Sequence, residues 1–122
     1  MIKSYKDLEV YKRSFELAME VFWLTRNFPK EEVYSLTSQI NRSSRSISSN
    51  IAEGWAKRSY EMVFKQHLIH ALGSCSETEN WFALALECKY LDKSMCDRIN
   101  TELDQIGKML HALHKNWKTH EK

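Results

Sequence analysis

The chain has 122 residues and a formal net charge of +2, and 43% of its residues are hydrophobic. These values predict one globular domain over residues 1–122, and a charge this small does not by itself indicate a nucleic-acid partner. No run of about 18 apolar residues occurs, so we expect no membrane-spanning helix. One proline and three glycines leave few helix breakers, which favours long helices.

Two features predict a cytoplasmic location. The first residues, MIKSYKDLEVYK, are charged and lack the apolar segment of a secretory signal peptide. Cys75, Cys88 and Cys96 are odd in number and form no C-x-x-C motif, which is typical of reduced thiols. We therefore expect a soluble cytoplasmic protein.

The first predicted helix, residues 7–27, is apolar on more than one side. One seam steps by three and four residues through Leu8, Tyr11, Phe15, Ala18 and Phe22, and a second runs beside it through Val10, Leu17, Val21 and Leu24, which predicts a wide buried face. Met19 and Trp23 lie on another side, so this helix needs more than one apolar neighbour. Phe28-Pro29 ends it, since the residue before a proline is displaced from helical geometry.

The second predicted helix, residues 30–56, separates packing from charge. Its apolar face is formed by Ile40, Ile47 and Ile51, which recur at helical spacing. Small serines lie between these isoleucines and let a neighbouring helix approach closely. Arg42 and Arg45 project roughly opposite the isoleucines, so they stand free of the core.

The third predicted helix, residues 60–90, carries a carboxylate on its apolar line. That line runs through Phe64, Leu68, Leu72, Cys75, Phe82 and Leu86. Glu79 falls on the same line, so its side chain is either buried with a partner or faces a wet cavity. Gly73-Ser74 in mid-helix predicts a close helix contact, because glycine there costs about 1 kcal/mol against alanine.

The fourth predicted helix, residues 93–118, has the most regular apolar pattern. Its seam comprises Cys96, Ile99, Leu103, Ile106, Leu110, Leu113 and Trp117. This alternation of three and four residues is typical of a coiled-coil-like seam. Four amphipathic helices joined by short loops predict an all-α, up-down-up-down antiparallel four-helix bundle.

The sequence contains little that indicates catalysis. No Glu-x-x-His motif occurs, which excludes a carboxylate-bridged di-metal bundle. The pairs His67/His70 and His111/His114 have a spacing that zinc could use between two helices, but surface or interface histidines are the commoner interpretation. No nucleophile elbow or Cys–His signature occurs. We expect no catalytic residue, cofactor or metal.

A polar layer is expected between the second and third helices. Its candidate members are Asn50, Glu53, Ser74, Glu77 and Glu79. The structural interpretation is a hydrogen-bonded network that fixes helix register, since buried polar groups need partners. The functional interpretation is a binding cavity. We favour the network, because no convergent histidine or cysteine accompanies these residues.

A basic segment supplies the candidate phosphate contacts. They are Arg42, Arg45, Lys57 and Arg58, with Lys12 and Arg13 as further candidates. An ordinary solvated basic face explains the same pattern at least as well. No recognition helix, zinc finger or aromatic RNA platform is present. Any nucleic-acid binding is therefore expected to be backbone-driven, salt-sensitive and weakly sequence-selective.

Three stretches of the chain carry a family resemblance: DLEVYKRS, FPKEEVYSLTSQINRSSRSISSNIAEGWAKR and ALGSCSETE. Their most specific marks are Phe28-Pro29, Glu32, Tyr34, Gln39, Ser46-Ile47, the segment NIAEG at residues 50–54, Gly73-Ser74, Glu77 and Glu79. Over nearly its whole length the chain resembles the 23S rRNA intervening-sequence protein family of bacterial four-helix bundles. That family includes the accessory variability determinant of diversity-generating retroelements.

The resemblance implies a cytoplasmic bundle that assembles into a ring-like homopentamer and carries a nucleic-acid-binding basic surface. It also implies a reverse transcriptase or another protein as a further partner. Two positions depart from the family pattern. Asn41 stands where the family often has arginine, which lowers the local charge, and Lys89 stands where the family has glycine at the end of the third helix.

Several large side chains exceed what one bundle is expected to bury. Met19 and Trp23 lie off the main seams of the first helix, and Trp55 and Trp81 add two further large rings. Large exposed apolar patches usually mark interfaces. We therefore expect these four residues at an oligomer interface.

Together these observations predict a non-enzymatic, homo-oligomeric accessory protein that binds RNA or DNA through its basic surface. The alternative is a protein-interaction scaffold whose basic face meets an acidic partner. A weaker alternative is a metal-dependent enzyme that uses the histidine pairs.

Overall fold

A computed structural model describes residues 1–119, and in these residues four helices form an all-α fold without strands. The helices are α1 (Glu9–Thr25), α2 (Leu36–Ala56), α3 (Glu61–Glu87) and α4 (Lys93–Asn116). Each helix packs against the one that follows it, and α4 packs against α1. The predicted four-helix bundle is confirmed, with α1 and α3 on one diagonal and α2 and α4 on the other.

The core takes up the apolar seams predicted on α2, α3 and α4. On α1 the buried face is the second predicted seam, with Val10, Leu17 and Val21, whereas Phe15 of the first seam is 50% exposed. The largest fully buried side chains of the core are Phe64, Phe82, Ile40, Ile47, Ile51, Leu68, Ile99, Ile106, Leu110 and Val21. All four helices contribute, because each one turns an apolar face inward at helical spacing. Two ion pairs at the surface, Arg13–Glu102 and Glu20–Arg98, join α1 to α4.

The second helix begins later than expected. Residues Lys30–Glu32 form a 3-10 turn, and α2 begins at Leu36 rather than at residue 30. The carboxylate of Glu32 accepts hydrogen bonds from Ser35 Oγ at 2.6 Å and from the Leu36 backbone N–H at 3.2 Å. These bonds satisfy an exposed helix N-terminus, which fixes the start of α2 at this position.

The close contact predicted at Gly73-Ser74 is made by the serine and not by the glycine. Ser74 Oγ lies 2.9 Å from Ser46 Oγ of α2, whereas a Cβ atom placed on Gly73 would have nothing within 4 Å. A Cβ atom on Gly54 would lie 2.8 Å from His67 Cβ and 3.2 Å from Phe64 Cδ1. Gly54 therefore lies inside α2 and allows the backbone of α2 to approach α3.

None of the helices in residues 1–119 combines the length and the apolar character needed to cross a membrane.

Candidate nucleic-acid interface

The contact between α2 and α3 contains a row of short polar side chains. Thr78 Oγ1 donates to Ser43 Oγ at 2.8 Å, and Ser74 Oγ donates to Ser46 Oγ at 2.9 Å. One turn further along α2, Asn50 Oδ1 lies 3.1 Å from His67 Nδ1. Buried hydroxyl groups that bond to each other fix the register of the two helices.

The three carboxylates expected in this layer lie elsewhere. Glu53 is exposed and pairs with Lys57 at 3.1 Å, and this bond lowers the pKa of the Glu53 carboxyl. Glu77 and Glu79 are also exposed. Glu79 lines a groove of about 210 Å³ between α3 and α4, which corresponds to the wet alternative for this residue. The layer therefore contains Asn50 and Ser74 but not the acidic residues.

The four candidate phosphate contacts separate into two pairs. Arg42 and Arg45 are exposed, and within residues 1–119 neither forms an ion pair. Lys57 is bound to Glu53, and the Arg58 guanidinium lies 4.3 Å from the centroid of Trp55 while donating to the Trp55 carbonyl. The pairs are about 18 Å apart along the helix at 1.5 Å per residue. They do not form one site.

Arg45 lies close to the end of α1, where Arg26, a residue not predicted as a phosphate contact, follows the helix. The Arg26 guanidinium lies 5.5 Å from the ring centroid of Phe22 and 5.7 Å from that of Trp23. The Arg45 guanidinium lies 5.9 Å from the same Phe22 ring, so the two arginines share an aromatic side chain. We call Phe22, Arg26, Arg42 and Arg45 the cation–aromatic surface; Trp23 is assigned to the exposed stripe of α1 described below.

The departure at Asn41 has a role in packing. Asn41 is only 8% exposed, and its Nδ2 group donates to Thr25 Oγ1 and to the Thr37 carbonyl, both at 2.9 Å. A buried amide does not belong to the exposed basic face. Asn41 therefore acts as a buried hydrogen-bonding residue between α1 and α2, and the lower local charge expected from it stays a prediction.

The candidate interface residues differ in exposure. Phe15, Met19 and Trp23 form a stripe along α1 and are 50%, 42% and 60% exposed. Trp55 is only 9% exposed, because it packs in the chain's own core against Phe64 and Trp117. The argument that Trp55 exceeds what one bundle can bury is therefore wrong. Trp81 is partly buried and packs against the same core.

The histidines and cysteines are the side chains on which metal binding or nucleophilic chemistry would depend. No group of three or more histidine, cysteine or acidic side chains in residues 1–119 is arranged to hold a metal ion. His67 instead bonds to Asn50, and His70 Nε2 lies 3.1 Å from Gln66 Nε2. Burial raises the pKa of the Cys75 thiol to about 12, which disfavours a thiolate nucleophile at that position.

A model of the 23S rRNA-intervening sequence protein family matches residues 6–112. The chain belongs to this family. The match covers most of the chain, from the turn before α1 to the last turns of α4, and confirms the resemblance seen in the sequence. No curated protein matches the chain.

A solved structure supports the same assignment. A Bacteroides thetaiotaomicron protein of unknown function from the S23 ribosomal protein family superimposes with a TM-score of 0.74 at 27% sequence identity. The alignment covers 88% of this chain and 96% of that one. That protein shares the fold of this chain, and the match adds no known activity.

Proposed function

We propose that this 23S rRNA-intervening sequence protein is a non-enzymatic RNA-binding accessory protein that contacts the phosphate backbone through the cation–aromatic surface. One observation carries the proposal. Arg26, the cap residue after α1, and Arg45 of α2 both approach the ring of Phe22, and Arg42 lies one helical turn before Arg45. Within residues 1–119 none of these three arginines has a carboxylate partner. Free guanidinium groups bind phosphate oxygens with good geometry.

The proposal also includes self-association into a ring, with a pentamer as the expected size. Two separate apolar stripes support it. Phe15, Met19 and Trp23 are exposed on α1, and Met62, Ile69 and Leu84 are exposed along one face of α3. Since α1 and α3 lie on one diagonal of the bundle, the stripes face different directions. A head-to-tail contact between two different patches generates a ring when the rotation closes.

Binding of a structured RNA at several salt concentrations tests the nucleic-acid role. We expect affinity to fall as salt rises, because bound cations release counterions from the phosphates. The variant Arg42→Glu/Arg45→Glu should bind more weakly and with a shallower slope, by roughly 0.7–0.9 for each phosphate that the variant no longer neutralises.

Two control variants locate the binding surface. Lys108→Glu/Lys115→Glu makes the same change in net charge on exposed positions of α4 and should leave most of the binding intact. Lys57→Glu/Arg58→Glu tests the other half of the predicted basic segment and should have a smaller effect than the Arg42/Arg45 variant. Absence of binding at low salt would contradict the proposal and would favour a protein-interaction scaffold with an acidic partner.

A further inference from the structure

A groove of about 350 Å³ runs between α1 and α2 beside the cation–aromatic surface. It is lined by Phe15 and Met19, from the exposed stripe of α1, and also by Phe22 and Arg45, from the cation–aromatic surface. No carboxylate from residues 1–119 lines the groove. The surface proposed for self-association and the surface proposed for phosphate binding therefore meet in one groove, and a helix that covers one of them reaches the other.

The exposed apolar stripe of α3 has open space at its middle. Gly73 lies on the same face of the helix as Ile69 and Leu84, and a Cβ atom placed on it would have nothing within 4 Å. Nothing in residues 1–119 therefore requires glycine at this position, although glycine is less favourable than alanine in a helix interior. A position without a side chain lets a second helix approach closely, so this stripe fits a helix contact with another molecule.

The charges beside the α3 stripe are opposite to the charge in the groove. The helix α3 contains four glutamates and one lysine, and this lysine, Lys65, is bound to Glu61 at 3.3 Å. Glu77 and Glu87 are exposed three or four residues from members of the stripe, and within residues 1–119 neither forms an ion pair. The groove presents the guanidinium of Arg45, so the two surfaces are complementary in both apolar character and charge.

We propose that the α3 stripe of a second copy occupies the groove between α1 and α2 and brings Glu77 and Glu87 to the cation–aromatic surface. These carboxylates pair with the arginines that RNA phosphates need, so this groove binds either another copy or RNA. The inference rests on the proposed function and adds its regulation, because assembly then excludes RNA and RNA dissociates the assembly. The two effects are equal in size, since the linkage between two binding equilibria is reciprocal.

Charge reversal tests the contact. Arg42→Glu/Arg45→Glu makes the groove acidic, and Glu77→Lys/Glu87→Lys makes the α3 stripe basic. Each variant alone brings like charges together and should associate about tenfold more weakly than wild type. An equimolar mixture has opposite charges at every contact between unlike variants, so sedimentation should show larger species in the mixture than in either variant alone.

A matched control separates this contact from a general effect of charge. Lys108→Glu/Lys115→Glu makes the same change in net charge as the groove variant, on exposed positions of α4, and should assemble like wild type. Circular dichroism should give the same helix content for all these variants, because every substituted side chain is exposed.

A short RNA hairpin tests the exclusion, and a hairpin that covers only one subunit avoids bridging between subunits. Sedimentation of wild type with increasing hairpin should show the assembly giving way to single subunits that carry one hairpin each. The affinity of a subunit for the hairpin should be about tenfold lower at concentrations where the protein is assembled than where it is monomeric. Met62→Glu/Ile69→Glu changes the α3 stripe and leaves the arginines in place, so it should bind the hairpin equally well at both concentrations.

The outcomes separate this inference from the proposed function. Larger assemblies in the presence of the hairpin, or equal hairpin affinity of monomeric and assembled wild type, overturn the exclusion and leave RNA binding in place. Unchanged assembly of both charge variants overturns the contact, and so does a wild-type protein that stays monomeric. If the hairpin does not bind at low salt, the RNA role and the exclusion both fail. The mixture of charge variants then still decides the contact, since larger species support it and monomers overturn it.

Discussion

The hydroxyl of Tyr90 donates a 2.7 Å hydrogen bond to Glu32 Oε2 and so joins the end of α3 to the connection between α1 and α2. The other oxygen of Glu32 receives Ser35 Oγ and the Leu36 backbone N–H. The Glu32 carboxylate therefore caps the N-terminus of α2 and also binds Tyr90, in the segment that follows α3, at the same end of the bundle. The ring of Phe28 packs beneath, with its centroid 5.4 Å from that of Tyr90.

Tyr90→Phe removes this hydrogen bond. The substitution should lower the free energy of unfolding and make that free energy less dependent on pH. The bond to Glu32 raises the pKa of Tyr90 to about 12 from an ordinary value of 10.0. The stability contributed by this group is thus complete below pH 10.0 and is lost as the pH rises towards 12. Hydrogen bonds from Ser35, Tyr90 and Leu36 lower the pKa of Glu32. The stability that the Glu32 carboxylate contributes is therefore lost as the pH falls through that lowered pKa.

Chemical denaturation of wild type and Tyr90→Phe at acidic, neutral and strongly alkaline pH checks this prediction. The two proteins should differ most near neutral pH and converge at both extremes. A constant difference across the range would indicate that the hydroxyl acts through packing and not through Glu32.

Lys89→Gly should raise the free energy of unfolding by about 1 kcal/mol, because a side chain in left-handed backbone geometry costs about 1–2 kcal/mol. Lys89 has a φ of 65°. Its N–H bonds to the Leu86 carbonyl, and the Tyr90 N–H bonds to the Ala85 carbonyl, which is the hydrogen-bond pattern of a glycine-terminated helix.

The matched control for this change is Lys108→Gly within α4. Lys108 is exposed in a helix interior, where glycine lowers stability by about 1 kcal/mol. Opposite signs for the two lysine-to-glycine changes, measured by urea unfolding, would support the backbone argument. A loss of stability in both would contradict it.

The pattern of isoleucines and leucines was sufficient to predict the bundle, because burial at helical spacing depends on local sequence alone. The partner of a small or polar residue depends on the rotation of a second helix. Glu77 and Thr78 differ by one position, yet Thr78 bonds to Ser43 in the buried contact and Glu77 faces solvent. Carboxylates stand out in a sequence and hydroxyls do not, so Ser74 was predicted in the polar layer but Ser43, Ser46 and Thr78 were not.

Gly54→Ala should lower the free energy of unfolding by about 1–3 kcal/mol, the usual cost of overpacking. The new methyl group would lie 2.8 Å from His67 Cβ, an atom that cannot move without its helix, so α2 and α3 would have to separate. Gly73→Ala is the control, because open space surrounds that position. It should raise stability by about 1 kcal/mol through helix propensity.

Urea unfolding of the two variants measures both effects with the same added methyl group. Equal stability of Gly54→Ala and wild type would mean that the helices do not approach each other at Gly54 as closely as described.

The candidate site could be predicted only in part for a related reason. Arg42 and Arg45 stand out within one helix, so their spacing was enough to select them. Arg26 becomes a neighbour of Arg45 only when α1 lies beside α2 and both guanidinium groups approach Phe22. The only local signal was the run Phe22-Trp23 followed by Arg26 one turn later.

If the protein self-associates as proposed, Phe15→Glu/Met19→Glu should give monomers without loss of helix content. Both side chains are exposed on α1, so the change places charges on the apolar stripe and leaves the core intact. Sedimentation measures the size, and circular dichroism measures the helix content. Thr101→Glu/Gln105→Glu on exposed positions of α4 adds two carboxylates away from both stripes and should remain oligomeric.

A head-to-tail ring requires two different patches, so Met62→Glu/Ile69→Glu on α3 should dissociate the protein as well. A mixture of the α1 variant and the α3 variant provides the decisive comparison. Each variant retains one intact stripe, so one contact can form between them, and the mixture should give dimers but no ring. If the α1 variant dissociates and the α3 variant does not, the contact is a symmetric one between two α1 helices. A wild-type protein that sediments as a monomer would contradict the self-association proposal.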